Sequence, residues 1–286
     1  MEAVDLKFSG HESFHCRPFW LKKGFDFIAN NNSFSEKSGI DLGVGRNMVG
    51  SIRFWLRAFN LIEKDNSLTV LAQKLFNDVD GWDPFLEDEA TLWLLHYELT
   101  SRQYSSTYNL IFSDLRKIRP EFTKNHFLAR IKELDSKQTD NIVSKDFSVF
   151  TRTYFAKKSK DKEESFSGLF TELGLLAEVG KDSESNDLYH ISNSKQSTIP
   201  WQVVLFCILD NPEYGMSISF NSLFSGSRGV GNLLAFNQET LEEKLIEISE
   251  NLEGIVYKND AGVKELQFKN EKPIGIHVLN SYYNEE

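Results

Sequence analysis

The chemically richest stretch of this chain lies near its start: His11-Glu12-Ser13-Phe14-His15, then Cys16 and Arg17. Hydrolysis of a phosphodiester needs a base or metal ligand for the attacking water and a cation for the developing charge. His11, Glu12 and Arg17 supply those types. The stretch also fits H-E-x-x-H, in which two histidines one helical turn apart bind zinc, with Glu36 at a workable distance for a third ligand. Pro18 counts against zinc, because a helix running through it would clash with the carbonyl of Phe14. Asp80, Asp83, Glu87 and Asp88 offer carboxylates for magnesium or manganese. Each set has a plainer use. His11 and Glu12 can pin the N-terminal segment, and Glu87 and Asp88 can open a helix, where carboxylates suit the dipole. His96, between Trp93 and Tyr97 in mid-helix, reads as packed.

A second chemistry is recognition of double-stranded DNA. Met48, Val49, Ile52, Trp55, Leu56 and Phe59 fall on one face of a helix. Opposite them lie Arg46, Gly50, Arg53 and Arg57, spaced i, i+4, i+7 and i+11 and flanked by Asn47 and Ser51. A reading helix needs such a slim, basic, polar face to enter the major groove, where arginine meets guanine or phosphate and asparagine meets adenine. Gly50 costs on the order of 1 kcal/mol of helix propensity, which close approach to another backbone would justify. With the turn at Leu42-Gly43-Val44-Gly45, residues 39–62 read as a helix-turn-helix. The plain alternative is a solvated amphipathic helix. Gly43-Val44-Gly45 does not make a nucleotide loop, since Met48 stands at the third glycine position and no Lys-Ser/Thr pair follows. Lys145, Ser148 and Arg152, with Lys157 and Lys158 beyond, form a second candidate face or an ordinary charged one.

The elements that must carry these residues can be read coarsely. A short helix is expected at 35–38, and Leu61-Ile62 and Leu68-Thr69-Val70 flank a small wing. Helices are expected from Glu87, over 104–119 up to Pro120, and from Thr123 through Leu134. Another is expected from Ser144 through Tyr154, then a charged stretch at 157–165. Segments 169–179 and 189–191 bracket a polar loop. Trp201–Leu209 and Asn237–Ile248 read as helices, and 255–258 with 263–268 as a hairpin. The expected fold is mainly α with small β-hairpin wings (α+β), in two to three winged-helix-turn-helix-like modules. The expected boundaries are 1–80, 81–197 with a second winged unit, and an acidic 198–286.

Net charge is −10, which argues against indiscriminate nucleic-acid binding. It is unevenly spread: +2 over 1–60, −7 over 61–100, +7 over 101–160 and −12 over 161–286. The two basic blocks carry the candidate DNA residues. Two distant cysteines, no signal peptide and no membrane-length apolar run point to a cytoplasmic protein without membrane contact.

Three blocks carry a family resemblance. They are Phe8 to Phe14 with Arg17 and Trp20 to Gly24; Leu42 to Val49 with Ser51 to Trp55; and Gly81 to Asp88 with Ala90 to His96. Weaker likeness continues through Val143-Ser144, Arg152-Thr153-Tyr154 and Glu172 to Leu175, and fades beyond about residue 195. The chain resembles the bacterial domain-of-unknown-function family that includes SspB, the DNA-nicking component of single-stranded DNA phosphorothioation cassettes. The resemblance implies DNA binding, strand cleavage and anti-phage defence. It also implies three partners: a cysteine desulfurase, an ATPase and an ATP-pyrophosphatase-like sulfurtransferase. The family motif uses the first histidine, the glutamate and the arginine, whereas His15 and Cys16 depart from it. The expected function is thus a DNA-binding, divalent-metal-dependent nicking component of a phosphorothioate modification system. Alternatives are a non-catalytic DNA-binding adaptor that recruits the ATPase and sulfurtransferase, or a transcriptional regulator.

Overall fold

Pro18 opens the first helix, α1 (Pro18–Ala29), at the position where its missing N–H costs nothing. A short helix, α2 (Ser38–Leu42), ends on Gly43 in the left-handed conformation. It starts later than expected because Ser35 and Ser38 bond one another in the preceding turn. Helix α3 (Arg46–Ala58) follows directly. Gly24 lets α1 and α3 touch: a Cβ there would lie 2.6 Å from Leu56 and 2.9 Å from Ile52. The expected wing after α3 is a single antiparallel bridge, Ile62 to Leu68, around a turn. Thr69 then caps α4 (Val70–Phe76) by accepting from the amide of Ala72.

The described residues are 6–156, 168–260 and 262–284 of a computed structural model. The charged stretch at 157–165, with Lys157 and Lys158, lies outside them. Helix α5 (Glu89–Ser101) is buried at every position from Ala90 onward, so it has no solvent-facing stripe. Helix α6 (Ser106–Leu110) runs through a π-helical turn into α7 (Arg116–Ile118), and Pro120 stops it. Strand β1 (Glu121–Phe122) leads to α8 (Lys124–Leu134), opened by a capping box between Thr123 and His126. Helix α9 (Asp140–Tyr154) begins four residues before the expected Ser144. Asp140 suits the first turn, and Val143 already belongs to the apolar face of Phe147, Phe150 and Tyr154. Strands β2 (Ala177–Lys181) and β3 (Asp187–His190) form an antiparallel hairpin, and β1 pairs with β3, giving the order β1-β3-β2.

These elements, up to Asp88 and again over Glu98–Ile191, make one compact unit. Its core is a chain of rings. Trp55 meets Tyr108 at 6.0 Å between centroids, Tyr108 meets Phe150 at 5.6 Å, and Phe59 meets Phe170 at 5.8 Å. The buried faces of α3 and α9 therefore share one core.

The second unit comprises Glu89–Tyr97 and Ser192–Glu286. It contains α10 (Trp201–Leu209), β4 (Ser217–Ser219), α11 (Phe220–Ser225) and α12 (Val230–Leu233). Then come α13 (Gln238–Asn251), β5 (Ile255–Asp260), β6 (Val263–Phe268) and α14 (Gly275–Tyr283). Here too the hairpin's second strand is central, in the order β4-β6-β5. His96 is fully buried in this unit, edge-on to Trp93, with a ring nitrogen 2.6 Å from the carbonyl of Leu233. The fold is α+β, largely helical with two small three-stranded antiparallel sheets. Among the described residues no helix is long and apolar enough to cross a membrane.

Candidate nucleic-acid interface

Helix α3 turns Arg46, Asn47 and Gly50 outward, with Arg53 and Arg57 half-buried beside them. Arg46 is 72% exposed and meets Glu36 at 2.6 Å, a solvated pair that contributes little. Arg53 and Arg57 both donate to the side-chain oxygen of Asn66, at 2.8 and 3.0 Å, and Arg57 also donates to the carbonyl of Lys64. Asn66, in the left-handed conformation, thus holds two guanidinium groups in place and ties the turn after α3 to the helix. Ser51 is fully buried, because it stacks with Trp55 and Ala58 on the inner face.

The His11 segment lies across this helix as a strained loop. Ser9, Gly10, Glu12 and Ser13 all have positive φ. Such backbone persists only where its surroundings over-determine it. The amide of Ser9 donates to both oxygens of Asp146 at 3.0 Å, and Trp55 Nε1 donates to the carbonyl of Phe14 at 3.2 Å. Gly10 is required, since a Cβ would sit 2.7 Å from the Phe54 ring. The His11 ring is 2% exposed, edge-on to Phe54 and stacked on Trp55. Its Nδ1 accepts from the amide of Ser13 at 3.1 Å. Its Nε2 faces Asp146 Oδ1 at 3.1 Å, a close contact without the alignment of a hydrogen bond. His11 is shut off from solvent, with the Asp146 carboxylate beside it.

Glu12 has the opposite placement. It is exposed, and its Cγ lies 3.7 Å from where a Cβ on Gly50 would stand. One residue on, the carbonyl of Ser13 accepts from the guanidinium of Arg152 on α9 at 2.8 Å. The loop thus joins the outer faces of α3 and α9 into one surface, with Glu12 in the middle. Lys145 is exposed on α9, one residue before Asp146. Arg17 immediately precedes α1 and lies over the Trp20 ring at 5.2 Å. His15 is buried in a non-helical segment, so His11 and His15 do not share a helix face.

The acidic set after α4 is used locally. Asp83 is buried and accepts from the amides of Glu87 and Asp88 at 2.9 and 3.0 Å. Asp80 and Glu87 are exposed and Asp88 is half-buried. No group of three His, Cys, Asp or Glu among the described residues is placed to hold a metal ion. The four carboxylates therefore do not fit a protein cage for magnesium. Magnesium on nucleic acid is instead held by one or two carboxylates together with phosphates. Glu12, an exposed carboxylate on a basic face, fits that mode.

Asp146 and Asn66 are absent from the sequence reading. Asp146 had a signal: it sits between Val143 and Phe147 on the apolar side of α9, and a charge placed there must be paired. Asn66 had none beyond being a turn residue.

A family model described as protein of unknown function (DUF4007) matches residues 8–283. Two solved structures share the fold. A magnesium ion-bound SspB crystal structure has a TM-score of 0.83 at 23% identity, covering 97% of this chain and 88% of that one. A further SspB crystal structure has a TM-score of 0.79 at 22% identity, with the same coverage. At such identities the likeness concerns the fold. No curated protein matches the chain.

Proposed function

This chain belongs to the DUF4007 family of proteins of unknown function, and we propose that it is a DNA-binding component of a phosphorothioate modification and anti-phage defence system. The observation that carries this reading is the single surface built from α3, the Ser9–Phe14 loop and Arg152 of α9. It presents Arg46, Asn47, Arg53, Arg57 and Arg152 around a glycine that lets a partner approach the helix axis. We read the chain as winged-helix modules over 1–80, 81–197 and 198–286; sheet order supports the last two, while 1–80 has its helix-turn-helix and a single bridge, Ile62 to Leu68. In both sheets a first strand precedes helices and a closing hairpin, whose second strand is central. Helices α3, α9 and α13 would then be topologically equivalent, and α3 is the one that reads DNA.

Within this reading the chain nicks DNA with magnesium or manganese, and Glu12 is the group that would hold the ion beside a phosphate. The ion would stabilise charge on the phosphoryl oxygens. His11 positions Glu12 from its buried place in the loop, where its Nδ1 accepts from the amide of Ser13. The system's cysteine desulfurase, ATPase and sulfurtransferase are the expected protein partners.

Arg46→Ala with Arg53→Ala should weaken duplex binding and lower the slope of log affinity against log salt by about 1 to 2. Unchanged affinity and slope would remove the DNA reading of α3. Purified protein should nick supercoiled plasmid with manganese or magnesium, but not with EDTA. Glu12→Gln should abolish nicking and leave binding intact. A Glu12→Gln variant that nicks as the parent does would return Glu12 to a surface role.

A further inference from the structure

The first unit also carries an open groove of about 580 Å³, lined by residues of α1 and α2 and by Phe85. Its apolar surface is more than scattered exposure would leave. Phe19 is 70% exposed and Phe85 62%, and both line it; Ile40, next in sequence to the lining residue Asp41, is 84% exposed. Buried Phe27 and Leu42 continue the apolar lining. Apolar side chains left together in water mark a surface that another molecule covers.

The charges around the groove indicate the kind of molecule. The lysines are drawn in. Lys22, 12% exposed, pairs with both Asp26 and Asp78, and Lys23 donates to the carbonyl of Leu42 at 2.9 Å. The carboxylates face outward: Asp78 is 78% exposed, Asp26 is 41% exposed, and Asp41 is exposed too. A partner therefore meets aromatic rings framed by negative charge. We propose that this groove docks a basic amphipathic segment of a partner protein. Its apolar side chains would cover Phe19 and Phe85, and its lysines or arginines would face Asp26, Asp41 and Asp78. Cations can also lie over the exposed rings. A nucleic-acid strand would stack on the same rings but bring phosphates to the carboxylates. A second copy of this chain, with net charge −10, is repelled in the same way. The inference does not depend on the DNA reading of α3.

The test uses a fluorescent helical peptide with leucines on one face and lysines elsewhere, its glutamate twin, and single-stranded oligothymidine, each titrated against the full chain. The lysine peptide should bind and the glutamate twin should not. Phe19→Ser with Phe85→Ser should weaken the lysine peptide at least about tenfold, the loss typical of anchoring aromatic residues. Asp41→Asn with Asp78→Asn should weaken it several-fold and flatten its salt dependence. Arg46→Ala with Arg53→Ala should leave it unchanged. Both phenylalanines are exposed, so melting should be preserved; if the double variant melts lower, the two single variants carry the comparison. Lysine-peptide affinity that ignores the phenylalanines would overturn the proposal. So would a phenylalanine-dependent loss confined to the oligonucleotide.

Discussion

His11 and Asp146 connect segments 135 residues apart, and the pair is almost completely dry. Asp146 stands 3.1 Å from His11 Nε2, and it accepts from the amide of Ser9 and, at 3.5 Å, from the hydroxyl of Thr107. Removing a buried carboxylate strands its donors, which costs more than the net worth of the bonds. Asp146→Ala should therefore destabilise the first unit by about 3 kcal/mol and lower its melting temperature by roughly 6–12 °C. His11→Ala should cost less than the sum expected for independent sites once Asp146 is gone. A double-mutant cycle should show a coupling of about 1–3 kcal/mol. Strictly additive losses would mean that the two side chains do not hold the loop together. At this scale the sequence exposed the reactive types, His11, Glu12 and Arg17, but not their division of labour. Residue spacing within a loop says nothing about which side chain turns inward. That depended on Gly10 fitting against Phe54 and on a carboxylate from α9.

Helix α3 was legible because its apolar spacing and its flanking glycines agree, and all its expected apolar residues but Met48 are buried. The start of α9 was less so, since Ser144 and Thr139 are both plausible caps and the apolar period alone favours the earlier one. The π-helical turn at Ile111–Leu115 has no sequence mark that periodicity could register. Gly50 permits a test at this scale. It sits mid-helix, where glycine costs about 1 kcal/mol against alanine. A Cβ there meets only Glu12 Cγ at an ordinary 3.7 Å, so the fold has room for it. Gly50→Ala should raise thermal stability, by about 0.5–1 kcal/mol, while weakening duplex binding. A variant that melts lower would mean that folding, and not close approach by DNA, requires the glycine.

Across the whole molecule, a net charge of −10 and the proposed basic reading face are compatible because opposite charges occupy different elements. On the proposed reading, three equivalent helices carry different outer faces. Along α13 the exposed residues Glu239, Glu243, Ile246 and Glu250 repeat the i, i+4, i+7, i+11 spacing of Arg46, Gly50, Arg53 and Arg57, with Glu239 and Glu250 at the places of Arg46 and Arg57, Glu243 at that of Gly50 and Ile246 at that of Arg53. Architecture was thus partly visible from the order of helices and hairpins. The two compact units were harder to see, because α5 is buried along its length and its residues are divided between them. Phosphates approaching α13 would be repelled, so the second unit should not read DNA. Glu239→Gln, Glu243→Gln and Glu250→Gln together should leave duplex affinity within about twofold at physiological salt, where charges more than ~8 Å apart are largely screened. The same titration should show the loss caused by Arg46→Ala with Arg53→Ala undiminished in that background. A tenfold change in affinity from the glutamine triple variant would instead put α13 against the duplex.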